Sequence, residues 1–145
     1  MARGHQMPSE TMQETEALVR AYYAAFGSGD RDAMLALLAE DVVHDVNQGP
    51  REVGKAAFRQ FLSQMDHSYR EAITGLVVML DRTGARAAAE FVVEGEYLAT
   101  DAGLPPARGQ RYSLPAGAFF AVEAGRITRV TTYYNLQDWL RQVGG

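Results

Sequence analysis

Cysteine is absent from the 145 residues. That excludes disulfides, a thiolate nucleophile and any cysteine-built zinc site. Long apolar runs are missing too. Stretches such as Leu76 to Leu80 fall far short of the roughly 20 residues that span a bilayer, so no membrane partner is expected. Positive charge is not in excess: 14 Lys and Arg against 18 Asp and Glu leave a net charge of −4. A nucleic-acid binder normally carries a basic stripe, whereas here the Arg residues are scattered singly. No clustered His and carboxylate spacing suggests a metal, and no Gly-rich phosphate loop follows a strand into a helix. No cofactor is therefore expected. Residues 1–13 hold no apolar run of the signal-peptide kind, and a cytoplasmic location is the default expectation.

What is present suits one soluble domain. Apolar residues make up 47% of the chain, enough for one core at this length. Residues 1–10 read as a flexible tail and 11–145 as the domain. Thr11 and Glu14 have capping-box spacing. The stripe Ala17, Leu18, Ala21, Tyr22, Ala25, Phe26 gives an amphipathic helix that Gly27-Ser28-Gly29 ends. Asp30 can cap a second helix over 31–38. Residues 41–47 alternate as a strand, with Val43, Asp45 and Asn47 on one side and His44 on the other. Residues 54–67 read as a helix bearing Phe58, Phe61, Leu62 and Met65. Four strands follow, over 73–80, 86–100, 112–122 and 127–135, and then a short helix over 137–143. Helices first and hairpin-joined strands after make an α+β domain with an antiparallel sheet.

The order αα-β-α-ββββ resembles the nuclear transport factor 2-like superfamily, which includes ketosteroid isomerase and the SnoaL-like polyketide cyclases. The segments that carry it are Ala21-Tyr-Tyr-Ala-Ala-Phe-Gly-Ser-Gly-Asp30, Leu38-Ala-Glu-Asp-Val-Val-His-Asp45, Gly54-Lys-Ala-Ala-Phe-Arg-Gln-Phe61 and Gly125-Arg-Ile-Thr-Arg-Val-Thr-Thr-Tyr-Tyr-Asn135. The resemblance spans roughly 14–143 and implies a cone-shaped, curved antiparallel sheet wrapped around the N-terminal helices. It also implies a homodimer. Residue by residue, Asp45 matches the isomerase's general base, Tyr22 its oxyanion-hole tyrosine and Tyr134 a pocket tryptophan. The second oxyanion donor, an Asp kept protonated by its apolar site, is matched by Gly117, so half of that hole is missing.

These matches imply a cofactor-independent isomerase- or cyclase-like protein acting on a small apolar carbonyl compound. Asp45 would be the base, its pKa raised if it faces inward, and Tyr22 the donor to the developing oxyanion. Asn47, Phe58, Phe91, Tyr97, Phe119, Tyr134 and Asn135 are the candidate substrate-binding residues. A non-catalytic carrier of an apolar ligand is the alternative reading. A hydrolase or dehydratase is a third: the hydrolase would need Arg86, Arg111 or Arg129 to face Asp45, and the dehydratase His44 or His67 near it. Residues 103–109 could form a lid over the pocket mouth, and Glu90, Glu94 and Glu96 a solvated or partner-facing row.

Overall fold

A computed structural model describes residues 9–46 and 48–144. The chain runs α1 (Glu10–Ser28), α2 (Arg31–Ala36), β1 (Leu38–Asp45), β2 (Glu52–Val53), α3 (Lys55–Ser68), β3 (Tyr69–Leu80), β4 (Arg86–Tyr97), β5 (Gln110–Glu123), β6 (Arg126–Tyr134) and α4 (Leu136–Gly144). The α+β order of the sequence reading stands. Most of the expected tail lies outside the described residues. Its last two, Ser9 and Glu10, are the cap and first residue of α1, so the Thr11 capping box is displaced: Ser9 accepts the hydrogen bond of the Met12 amide at 3.1 Å. At the other end Gly29 takes φ +76°, the left-handed C-cap that glycine adopts without strain. The next residue, Asp30, accepts from the Ala33 amide and starts α2.

The six strands pair in the order β2-β1-β6-β5-β4-β3. The three hairpin pairs and β1/β2 are antiparallel, but β1 runs parallel to β6. The antiparallel pairing expected of consecutive strands is present, and β1/β6 is the parallel exception among the described strands. These two strands are far apart in sequence, so no hairpin sets their direction. The sheet stays open and curves around the helices.

One irregularity decides which residues of β3 face inward. Thr74 pairs with Val92 but Val77 with Glu90, so β3 carries an extra residue, and Gly75 takes φ +66° there. Such a bulge bends the strand and reverses its parity. Tyr69, Glu71 and Ile73 face inward before it; Leu76, Val78 and Leu80 do so after it.

Two apolar clusters hold the layers together. The larger joins Val19, Tyr22 and Tyr23 of α1 to Met34, Val42, Phe58, Phe91, Phe120 and Val130. The smaller packs Trp139 and Val143 of α4 on Tyr97, Tyr112 and Leu114. Each fully buried aromatic or aliphatic side chain contributes roughly 1.5–3 kcal/mol, which offsets the ordering of the long strands. A cavity remains between the two clusters. Among the described residues no helix is long and apolar enough to cross a membrane.

Candidate functional site

The cavity has a volume of about 430 Å³, within the range of small-molecule sites. Its walls are chiefly apolar and aromatic: Tyr22, Tyr23, Phe26, Phe61, Phe91, Val93, Leu114 and Trp139. Besides Gln48, Thr132 and the tyrosine hydroxyls, three ionisable side chains interrupt them.

The first is Glu71, half-buried on β3. It belongs to a register row that crosses three strands, since Glu71 pairs with Gly95 and Gly95 with Tyr112. Without a side chain at position 95, the Tyr112 ring lies flat over β4 and its hydroxyl donates to Glu71 Oε2 at 2.5 Å. Burial raises the Glu71 pKa, while the Tyr112 bond and the nearby Arg31 charge pull it down; burial is the largest influence. A carboxyl whose pKa moves up toward neutrality is a stronger proton acceptor than an ordinary one.

The second is Asp101, in the loop after β4. It accepts from the Tyr69 hydroxyl at 2.8 Å and from Gln64 at 3.3 Å. The same loop is pinned where the Tyr97 hydroxyl donates to the Pro105 carbonyl at 2.7 Å and accepts from the Asp101 amide at 3.0 Å. Asp101, Ala102 and Leu104 form part of the wall.

The third is His44 on β1, only 4% exposed. It stacks on Phe58 with ring centroids 4.3 Å apart and meets the Phe61 edge at 4.5 Å. Burial lowers its pKa to about 4, outweighing the nearby Asp45 charge, so the ring is neutral at physiological pH.

Asp45 does not line the cavity, which corrects the inward placement expected for it. It lies on the outer sheet face, where Arg51 Nε and Nη2 donate to its two oxygens at 2.7 and 2.9 Å. Thr131 donates at 2.9 Å as well. The Arg51 hydrogen bond, ahead of all other influences, holds the carboxyl below the usual range. The strand alternates as read, but the other way round. An imidazole enters an apolar wall by losing its charge, whereas a carboxylate needs a partner, and Arg51 is available only outside.

The remaining candidates divide. Tyr22, Phe91 and Tyr134 line the cavity. Phe58 is buried behind His44, and Tyr97 is buried beneath the 98–109 loop; neither reaches the cavity. Phe119 points outward and is 48% exposed. Exposed Asn135 is also outside, where its side-chain oxygen accepts from the Asp138 amide at the start of α4. Asn47 lies outside the described residues. Ala116, not Gly117, faces inward on β5; Gly117 pairs with Glu90 and Tyr133 in an outward row. Burial raises the pKa of both Tyr22 and Tyr134, which keeps them as neutral hydrogen-bond donors. Among the described residues no three His, Asp or Glu side chains come together to hold a metal ion.

Glu71 escaped the sequence reading, and His44 entered it only as the residue on the strand face opposite Asp45 and as a dehydratase candidate. Glu71 precedes the stretch read as strand. The available signal was Gly95, placed between Glu94 and Glu96: a glycine inside a strand marks a close approach from another part of the chain.

Residues 19–130 match the SnoaL-like domain family. Among solved structures, a proposed polyketide cyclase from Pseudomonas putida KT2440 is 60% identical, with a TM-score of 0.87 over 90% of this chain and 97% of that one. A second, from Xanthomonas campestris pv. campestris, is 59% identical with a TM-score of 0.89 over 92% and 98%. An epoxide hydrolase of the limonene-epoxide hydrolase-like type from M. tuberculosis shares the fold at 21% identity, with a TM-score of 0.68 over 90% of each chain. Among curated proteins none matches the chain.

Proposed function

From the premise that this chain belongs to the SnoaL-like domain family, we propose that it binds a small, mainly apolar carbonyl compound in the cavity and moves a proton on it without a cofactor. The observation that carries this reading is the Glu71 carboxyl, presented to an apolar cavity with a raised pKa and a fixed tyrosine partner. As carboxylate it takes a proton from the carbon next to the carbonyl and leaves an enolate. Returning the proton to another carbon makes the reaction an isomerisation. Attack of the enolate carbon on a second carbonyl of the same molecule, whose C=O π bond opens to an alkoxide that takes the proton back from Glu71, makes it a cyclisation. The Tyr22 and Tyr134 hydroxyls are two neutral donors in this wall that can serve the enolate oxygen; such donors count for more where water is excluded.

The test needs no knowledge of the natural substrate. 2-Tetralone fits the volume and has acidic hydrogens beside its carbonyl. The protein is expected to speed their exchange with D2O, saturably, as followed by proton NMR. Exchange no faster than in buffer overturns the reading. A carrier without chemistry is favoured by the fact that Glu71 and Asp101 already have tyrosine partners; saturable binding of 2-tetralone with no exchange is its signature. Asp45, the carboxylate of the hydrolase reading, is paired with Arg51 and lies outside the cavity.

A homodimer through the outer sheet face is part of the same proposal. Val77, Met79, Phe119 and Tyr133 are each about half exposed, and the strand register joins them into one patch. Glu90 and the flanking Arg86 and Arg129 share that outward face, so a two-fold rotation can set opposite charges against each other. Wild-type protein is expected to sediment as a dimer at micromolar concentration and Phe119→Glu as a monomer. A monomeric wild type rejects the interface.

A further inference from the structure

We propose that His44 is the carbonyl-recognition residue of the cavity, its Nε2–H donating a hydrogen bond to the oxygen of the bound compound. The proposal rests on the cavity described above but not on proton transfer by Glu71.

Three observations lead to it. His44 is a buried polar side chain on the cavity wall. Its Nδ1 is sealed from solvent and has no hydrogen-bond partner among the described residues. The ring plane is locked, stacked on Phe58 and wedged by the edge of Phe61. A neutral imidazole carries one N–H and one bare lone pair. An N–H sealed without an acceptor is the rarer and costlier defect, and an unsatisfied acceptor is better tolerated. The bare lone pair therefore belongs on Nδ1, which puts the proton on Nε2. With Nδ1 closed off, the Nε2 edge is the polar edge left to meet the cavity.

Neutrality is secured independently, because burial keeps the pKa at about 4. An uncharged donor can face an apolar ligand without the penalty of an unpaired cation. The group it selects is an acceptor: a carbonyl or similar oxygen, not an ammonium or another donor. This supplies a fixed donor on β1, where the outward Gly117 offers none, and it gives the apolar cavity a means of telling a ketone from a hydrocarbon of the same shape.

The experiment has two arms. In protein labelled with ¹⁵N at histidine, a long-range proton–nitrogen correlation reports the tautomer directly. The Nε2–H pattern is expected for His44, and an Nδ1–H pattern overturns the proposal. In the second arm, 2-tetralone and tetralin, which lacks the carbonyl, are titrated while the fluorescence of the single tryptophan, Trp139 in the cavity wall, is followed. The affinity ratio of 2-tetralone to tetralin is expected to fall about tenfold in His44→Phe, the effect of one hydrogen bond. It should recover in His44→Gln, whose amide places a donor near the Nε2 position. An unchanged ratio in His44→Phe, or no binding of 2-tetralone to wild type, also overturns it. A His44-dependent ratio without deuterium exchange leaves this inference standing and removes only the proton-transfer reading. Exchange with a His44-independent ratio does the reverse.

Discussion

Glu71→Gln is expected to slow deuterium exchange into 2-tetralone by about 10²–10⁴-fold, the usual contribution of a positioned general base, while 2-tetralone still binds. The amide keeps the size of the side chain and an oxygen for the Tyr112 hydroxyl but cannot take up a proton at neutral pH. NMR exchange rates at saturating 2-tetralone measure it. A loss below threefold would remove Glu71 from the reaction, whatever the effect on affinity. The pH dependence has a definite sign. In wild type the rate should climb as pH rises and Glu71 loses its proton, with a midpoint above the ordinary glutamate value because burial disfavours the charge. Stability moves the other way. Folding raises this pKa, so the native state holds the proton more tightly than the unfolded chain. The stabilisation is complete below the unfolded value and is lost as pH rises through the folded one. The Tm of Glu71→Gln relative to wild type should accordingly increase over that window.

Gly95→Ala should strain both the fold and the Glu71 site. A Cβ at position 95 would lie far inside van der Waals contact of the Tyr112 Cζ and Cε2 atoms. Tyr112 is only 4% exposed, packed under Trp139, so the ring has little room to retreat. Overpacking of this kind costs about 1–3 kcal/mol, which for a chain of this size lowers Tm by roughly 3–10 °C. The ring must also leave Glu71. Losing that hydrogen bond removes an influence that lowers the Glu71 pKa, so the midpoint of the exchange profile should shift upward. Tyr112→Phe separates the two effects: it should reproduce the shift in midpoint with a smaller fall in Tm. An unshifted midpoint in both variants would show that the three-strand row does not tune the carboxyl.

The element order was legible because each signal is local. The α1 stripe, the Gly29-Asp30 junction and the Glu123-Ala-Gly-Arg126 turn depend on neighbours a few residues away. The turn shows it plainly, since Ala124 and Gly125 both take positive φ, as a two-residue hairpin requires. The aromatic wall was legible in part, and Tyr22, Phe91 and Tyr134 do meet at one cavity. The polar groups were not. Alternation along 41–47 marks two faces but does not say which one is covered, and both contain apolar residues. A period of two places Asp45 inside as readily as His44.

Composition and local pattern therefore settled the α+β class, the chain order of helices and strands, and the absence of cysteine chemistry. Which polar groups look into the cavity was settled by packing over long distances. Phe58 and Phe61 of α3 cover one face of β1 and accept a neutral imidazole. Arg51 waits on the other face for a carboxylate. The extra residue at Gly75 reverses β3, so that Glu71 and Leu76 share a side. Facing is decided by what lies across the sheet and by the cost of burying charge, and neither quantity is encoded in the spacing of any one strand.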